Sequence, residues 1–303
     1  MDSMRELLSF LWDTLVLLVS LLLSIVSSLY SLVVSPPQKS LAREVAVVTG
    51  AGLGIGRELS KQLAVLGVRV ACWDVKGEEA RAVAEEINAA GGEAIAVTVD
   101  VSDKEAVKEA AQKTISLLGH VTILVNNAGI MPCKPLLTFS DQELEKQFSV
   151  NVFSHFWTIR QFLPRMLQQD HGHIVAMSSV AGLNGAANLT PYCSTKFAVR
   201  GLMDSLYHEL RGLPTCHNIK LTTVMPYVVT TGLAKNPTSR FMSIIPFTTP
   251  LEAAQITIKA VRREEEHVFV PPFLRMSYTW FTMLSRRGQL AVLDYLKPRV
   301  ETE

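Results

Sequence analysis

Only four cysteines occur in 303 residues, and Cys72, Cys133, Cys193 and Cys216 form no Cys-x-x-Cys pair and no metal-ligand spacing. That excludes a disulfide scaffold and a cysteine-held metal site, and no metal is expected. The pattern suits reduced, buried thiols of a cytosol-facing protein. Charge of one sign is also missing. Twenty-nine basic and 28 acidic residues leave a net charge of +1 with no block of like charge, so no nucleic-acid partner is expected. A third absence is local: between Asp13 and Lys39 there is no charged residue, and Leu15 to Val34 is Leu, Val and Ile with scattered Ser.

Twenty helical residues span ~30 Å, the thickness of a bilayer's hydrocarbon core. A helix apolar on every face does not suit a soluble core. A cleaved signal peptide fits poorly too, since the head MDSMREL is not basic and no small-x-small cleavage site follows. Residues 1–38 are therefore expected to be a membrane anchor, ended by Pro36-Pro37. Lys39 and Arg43 against Arg5 favour a cytosolic C-terminal domain. The sequon Asn188-Leu189-Thr190 favours the same side, because a glycan there would crowd Tyr192. Spanning and in-plane insertion both stay open.

From Arg43 onward, short β-branched runs alternate with amphipathic stretches. Strands are expected at Val45–Thr49, Val68–Trp73, Ala94–Val99, Val121–Val125, His173–Met177, Lys220–Met225 and His267–Val270. Helices are expected at Ile55–Leu66, Glu78–Ala90, Lys104–Leu118, Asp141–Leu167, Tyr192–Arg211 and Leu251–Glu266. Strict βαβ alternation predicts an α/β fold with a parallel, doubly wound sheet of the Rossmann type in one domain, residues 39–270, followed by a tail, 271–303.

The first strand runs into Thr49-Gly50-Ala51-Gly52-Leu53-Gly54-Ile55-Gly56 and a helix begins at once. Glycines there allow a tight turn and let backbone approach a pyrophosphate at the helix N-terminus. Asp74 ends the next strand twenty residues after Gly54. A carboxylate at that place accepts hydrogen bonds from ribose hydroxyls and repels a 2′-phosphate, so NAD is expected over NADP, with Lys76 as the opposing charge. A solvated strand-end charge is the alternative for Asp74, which the fingerprint before it disfavours.

Further on, Ser179, Tyr192 and Lys196 fall within Met177–Ala198. Tyr192 and Lys196 share a helix face at i, i+4. An unperturbed tyrosine has a pKa of ~10, and a neighbouring ammonium is expected to lower it. Ser179 supplies a hydroxyl to the same reacting oxygen, which makes a proton-transfer site for an alcohol or carbonyl. Six Tyr and thirteen Lys produce such a pair by chance in roughly one chain in four, so the pair gains meaning only beside the other motifs.

Taken in order, Thr49-Gly-x-x-x-Gly54-x-Gly56, Asn126-Asn127-Ala128-Gly129, Asn151, Ser179 and Tyr192-x-x-x-Lys196 resemble a classical short-chain dehydrogenase/reductase over residues ~40–270. The resemblance implies that Tyr192 is the general acid/base, that Lys196 binds the nicotinamide ribose and depresses the tyrosine pKa, and that Ser179 orients the substrate oxygen. It implies that Asn151 holds a water in a proton relay, although an amide satisfied by backbone is the plainer reading. Ser178 competes with Ser179, and spacing to Tyr192 selects the latter. Asp100 matches the residue beside the adenine, with Val101. The resemblance likewise implies that Asn127, Ala128 and Gly129 line the cofactor along with Gly50 and Ile55, and that Thr231 meets its carboxamide side. One departure is Pro226-Tyr227, where the family has Pro-Gly.

The phrases His155-Phe156-Trp157-Thr158, Phe162-Leu163-Pro164 and Tyr192-Cys193-Ser194-Thr195-Lys196-Phe197-Ala198 further resemble the epidermal-type retinol dehydrogenases and lipid-droplet 17-beta-hydroxysteroid dehydrogenases. That implies a lipophilic alcohol substrate and an endoplasmic-reticulum membrane or lipid-droplet surface. A scaffold that keeps the fold without turnover is the rival class, and the intact tetrad speaks against it. Gly232 to Pro250 is unusually apolar, and Phe241, Met242, Ile244, Ile245 and Phe247 are expected to form a greasy lid, or else a packed loop or homodimer contact. In the tail, Phe273, Leu274, Met276, Tyr278, Trp280, Phe281, Met283 and Leu284 lie among Arg275, Arg286 and Arg287. That fits a helix in a membrane interface, or one packed over the substrate pocket.

Overall fold

In the computed structural model, residues 2–34, 36–214, 216–233, 238, 240 and 247–296 are described. The chain separates into two compact units, Met1–Lys39 and Ser40–Glu303. The first holds helix α1, Asp2–Val33. Within it Met4–Ser27, of mean hydropathy 2.2, is long and apolar enough to cross a membrane.

The second unit alternates strictly. β1 (Val45–Thr49) leads to α2 (Gly54–Val65), β2 (Arg69–Asp74) to α3 (Gly77–Ala89), and β3 (Glu93–Thr98) to α4 (Lys104–Leu118). Then come β4 (Ile123–Asn126), α5 (Asp141–Phe148), a π-helical turn (Ser149–Phe153) and α6 (Ser154–Gln169). β5 (Gly172–Met177), α7 (Thr190–Arg211), β6 (Ile219–Pro226), α8 (Pro250–Arg262) and β7 (His267–Val270) complete the core. The seven strands form one parallel sheet in the order β3-β2-β1-β4-β5-β6-β7. The order reverses between β1 and β4, which opens a crevice at their carboxyl ends.

All five residues of β1 are buried, as a parallel strand covered on both faces requires. Alternation splits them. Ala46 and Val48 join the layer of Leu59, Leu63, Val83 and Ile258 on one side. Val45 and Val47 join Val107, Phe162, Val199 and Met203 on the other. On that second side Trp73 is fully buried, donates its indole N–H to Thr114 Oγ1 at 2.9 Å, and meets Phe162 with ring centroids 5.9 Å apart.

Every expected strand and helix forms, with ends displaced by one or two residues except at α8, which stops at Arg262 rather than Glu266. The helix expected over Asp141–Leu167 is not continuous: the π turn interrupts it at Asn151, and α6 continues past Pro164 to Gln169. Beyond β7 the tail folds as two helices, α9 (Leu274–Met283) and α10 (Arg286–Leu296). Of the expected lid, Phe241, Met242, Ile244 and Ile245 lie outside the described residues.

Candidate active site

The β1–α2 turn is shaped by glycine where a side chain cannot fit. Gly50 and Gly54 take φ of +64° and +57°, the left-handed region. A Cβ on Gly54 would press to 3.0 Å from Thr231 Cγ2, and one on Gly56 would strike the Gly50 carbonyl oxygen. The turn is tied to β4: Thr49 Oγ1 accepts from the backbone N–H of Asn127 at 2.9 Å and of Ala128 at 3.0 Å. Asn127 Nδ2 donates back to the Thr49 and Gly50 carbonyls at 2.8 and 3.2 Å. Thr49 and Asn127 thus hold the cradle from beneath while Gly50, Gly54 and Ile55 face the cavity.

Two carboxylates flank it. Asp74 accepts from the N–H of Gly52 on one oxygen and of Lys76 on the other, both at 2.9 Å. The Lys76 ammonium leans 3.8 Å from Glu79. Burial alone would raise the Asp100 carboxyl, but bonds from Lys146 at 2.7 Å and from the Ser102 hydroxyl and N–H outweigh it and hold it below the ordinary range. Val101 lines the cavity beside it, as does Lys146, which no sequence signal marked.

The π turn delivers Asn151 to the centre of the site. It is fully buried; its Oδ1 accepts from Ile130 N–H at 2.8 Å, and Nδ2 donates to Ile130 O at 2.9 Å and to Thr195 Oγ1 at 3.1 Å. The side chain is thus satisfied by the Ile130 backbone and the Thr195 hydroxyl together. Gly129 faces it: a Cβ there would stand 3.5 Å from Asn151 Oδ1 and 3.7 Å from Lys196 Nζ.

Tyr192 sits in the first turn of α7, 7% exposed. Lys196 lies one turn on, with Nζ donating to Met177 O at 2.7 Å and standing 5.6 Å from the Tyr192 ring centroid. Ser178 donates to the Lys196 carbonyl at 2.9 Å and is committed there, whereas the Ser179 hydroxyl donates to Pro226 O at 3.3 Å, accepts from the Ala181 N–H at 3.1 Å and faces the phenol of Tyr192. The expected depression of the tyrosine is corrected. Burial pushes Tyr192 up to about 12, and the Ser179 bond only partly opposes it. Burial likewise brings Lys196 down to about 8. Desolvation penalises both charged forms. Behind them His155 is fully buried, and burial, with Lys196 nearby, takes it down to about 3, so it is neutral.

Tyr227 does not disturb the backbone. It lies outside the left-handed region, and its N–H donates to Val270 O at 2.8 Å, prolonging the β6–β7 pairing. Its side chain lines the cavity.

A single cavity of about 1720 Å³ connects all of this. One end holds the glycine cradle, Asp74 and Asp100; Ser179, Tyr192 and Lys196 lie along it; the far wall is Leu183, Phe269, Leu274, Tyr278, Phe281 and Leu293. That exceeds the ~300–1,000 Å³ of ordinary ligand pockets, so it has room for a dinucleotide and a second apolar molecule. The cradle that Cβ atoms would fill and the carboxylate at the end of β2 fit a nicotinamide dinucleotide.

A family model of short chain dehydrogenases matches residues 44–240. Epidermal retinol dehydrogenase 2 of Mus musculus is 36% identical over 98% of this chain and 94% of its own length. Estradiol 17-beta-dehydrogenase 11 of Homo sapiens is 35% identical over 94% of each. Among solved structures, a short chain dehydrogenase/reductase from Burkholderia phymatum in complex with NAD superposes with a TM-score of 0.72 at 27% identity, covering 80% of this chain and 93% of that one. A metagenomic short-chain oxidoreductase in complex with NADP gives 0.64 at 32%, covering 76% and 96%. Fold, matched sequence and site agree: the chain belongs to the short-chain dehydrogenase family and is an NAD(P)-dependent oxidoreductase acting on alcohols and ketones.

Proposed function

We propose that this protein is a membrane-associated dehydrogenase that prefers NAD and interconverts a lipophilic alcohol, retinoid-like or steroid, with its carbonyl. The observation that carries the reading is the single cavity, with the dinucleotide cradle at one end, Tyr192 and Ser179 along it, and an apolar far wall. A bound nicotinamide supplies the hydride acceptor. Ser179 holds the substrate oxygen beside Tyr192, whose phenolate form takes the alcohol proton as the carbonyl forms and whose hydroxyl gives it back in reduction. Lys196 serves as the cation that stabilises that phenolate, and its value near 8 keeps it largely protonated at neutral pH. Both hydrogens of the Asn151 amide are engaged, so a relay water held at Asn151 meets its main chain, in a π turn where i→i+4 pairing is loosened.

The names of the relatives support the substrate class, as does the wall of leucine and aromatic side chains. NAD is favoured because Asp74 places charge where a 2′-phosphate would lie. Endoplasmic-reticulum membrane or lipid droplet is the proposed location, anchored through residues 1–38, with the catalytic unit on the cytosolic side. Asn188 lines the cavity, so an unglycosylated compartment suits it.

Purified protein offered retinoid and steroid alcohols with NAD, and the matching carbonyls with NADH, tests the proposal against Tyr192→Phe. Turnover should fall by about 10²–10⁴ in the variant, the range for removal of a general acid/base. Equal inactivity of both proteins across the panel in both directions would sink the enzyme reading.

A further inference from the structure

α9 carries two apolar stripes. Leu274, Ser277, Tyr278 and Phe281 line the catalytic cavity, and Tyr278 packs on Phe269 of β7 with centroids 5.8 Å apart. Phe273, Met276, Trp280 and Met283 recur at three- and four-residue spacing on another side, and are 49, 69, 66 and 71% exposed; of these Trp280 also lines the cavity, so the two stripes meet there. At 3.6 residues per turn the two stripes centre roughly 130° apart. Arg275 within α9 and Arg286 and Arg287 at the start of α10, three and four residues after Met283, are exposed, and among the described residues no carboxylate lies within ion-pair distance of them.

Large apolar side chains in a continuous exposed stripe mark a surface that something covers. Cations at its margin and a tryptophan within it match the boundary between headgroups and acyl chains. The same chain carries Met4–Ser27, long and apolar enough to cross a bilayer, so lipid is the surface at hand. Protein partners would not need three unpaired arginines around the stripe, whereas anionic headgroups do pair with them.

We propose that the outer face of α9, with the arginines at the start of α10, docks on an anionic phospholipid surface, and that α9 thereby forms the passage by which a lipid-dissolved substrate enters the catalytic cavity. The second half rests on the dehydrogenase reading above; the first does not. Only one helix thickness separates the outer stripe from the inner one. A water-insoluble alcohol leaving the lipid beside Met276 and Met283 reaches Tyr278 and Phe281 without crossing water.

The test uses full-length protein in vesicles of phosphatidylcholine and phosphatidylserine, with Trp12→Phe so that α1 contributes no signal. Acyl-brominated lipid should quench Trp280, the quenching should vanish in Trp280→Phe, and Met276→Asp with Met283→Asp should cut it severalfold. The same double variant should raise KM for a vesicle-borne long-chain alcohol about tenfold while kcat/KM for a short water-soluble alcohol stays within about twofold, because neither methionine lines the cavity. Trp280 unquenched by lipid, as when a second copy of the chain covers the face, overturns the docking. Quenching with unchanged KM for the vesicle-borne alcohol overturns the entry route. Absence of turnover with any alcohol overturns the dehydrogenase reading and the entry route with it, while the quenching still decides the docking.

Discussion

At Tyr192 and Lys196, burial and charge oppose each other. Both side chains are nearly inaccessible, and each is pushed toward its neutral form, to about 12 and about 8. Lys196 therefore weakens the fold it serves. Its folded value lies below the ordinary 10.5, so between about pH 8 and 10.5 the unfolded chain holds a proton that the folded one has shed, and stability rises with pH across that window. Replacing it removes this dependence. Lys196→Met should lose at least ~100-fold in turnover. Its stability relative to wild type should shift by about 3 kcal/mol in favour of wild type between neutral pH and pH 10.5, at ~1.4 kcal/mol per tenfold change in proton affinity. Urea unfolding of both proteins across that range reads it; parallel curves would contradict the burial argument. The i, i+4 pair was legible in the sequence, but the direction of the tyrosine shift was not, because spacing reports adjacency and says nothing of how much water is excluded.

Asp74 is the second residue on which the account depends. Both its oxygens accept backbone N–H groups of the turns that frame the cradle, so the carboxylate is fixed in place. Asp74→Asn keeps the shape and removes the charge, and the ratio of kcat/KM with NADP to that with NAD should rise at least ~10-fold. A wild type that already prefers NADP would overturn the assignment.

Among the elements, the strands were the most legible, since buried parallel strands read as short β-branched runs bounded by turns. The π turn was hidden. Asp141–Leu167 has unbroken helical periodicity, and nothing in it marks the one-residue widening that turns Asn151 toward Ile130 and Thr195. The two faces of α9 were hidden for a related reason. A stretch apolar on several sides fits lipid and pocket equally until the neighbouring strand β7 selects the inner stripe. α1 is the element whose removal is most telling. The catalytic unit begins at Ser40, and its sheet at Val45, so deletion of residues 1–38 should leave an NAD-binding fold. The truncated protein should move largely to the soluble fraction, with a residue held by α9. Full-length protein should resist carbonate extraction; its release by carbonate would contradict the anchor.

For the whole molecule, the dinucleotide-binding fold and the lipophilic wall open into one space, and the reaction reading depends on that continuity. In the proposed reaction a lipid alcohol deep against Phe281 and Leu293 presents its carbinol carbon beside the nicotinamide end of the cradle, because no partition lies between them among the described residues. The most direct measurement is isotope transfer. A lipophilic alcohol deuterated at its carbinol carbon is mixed with full-length protein and NAD, and the reduced cofactor is weighed by mass spectrometry. One deuterium per carbonyl product should appear in the nicotinamide ring, and none with Tyr192→Phe under the same conditions. Carbonyl product formed without deuterium in the cofactor, or no product from any alcohol that partitions into lipid, would contradict the account.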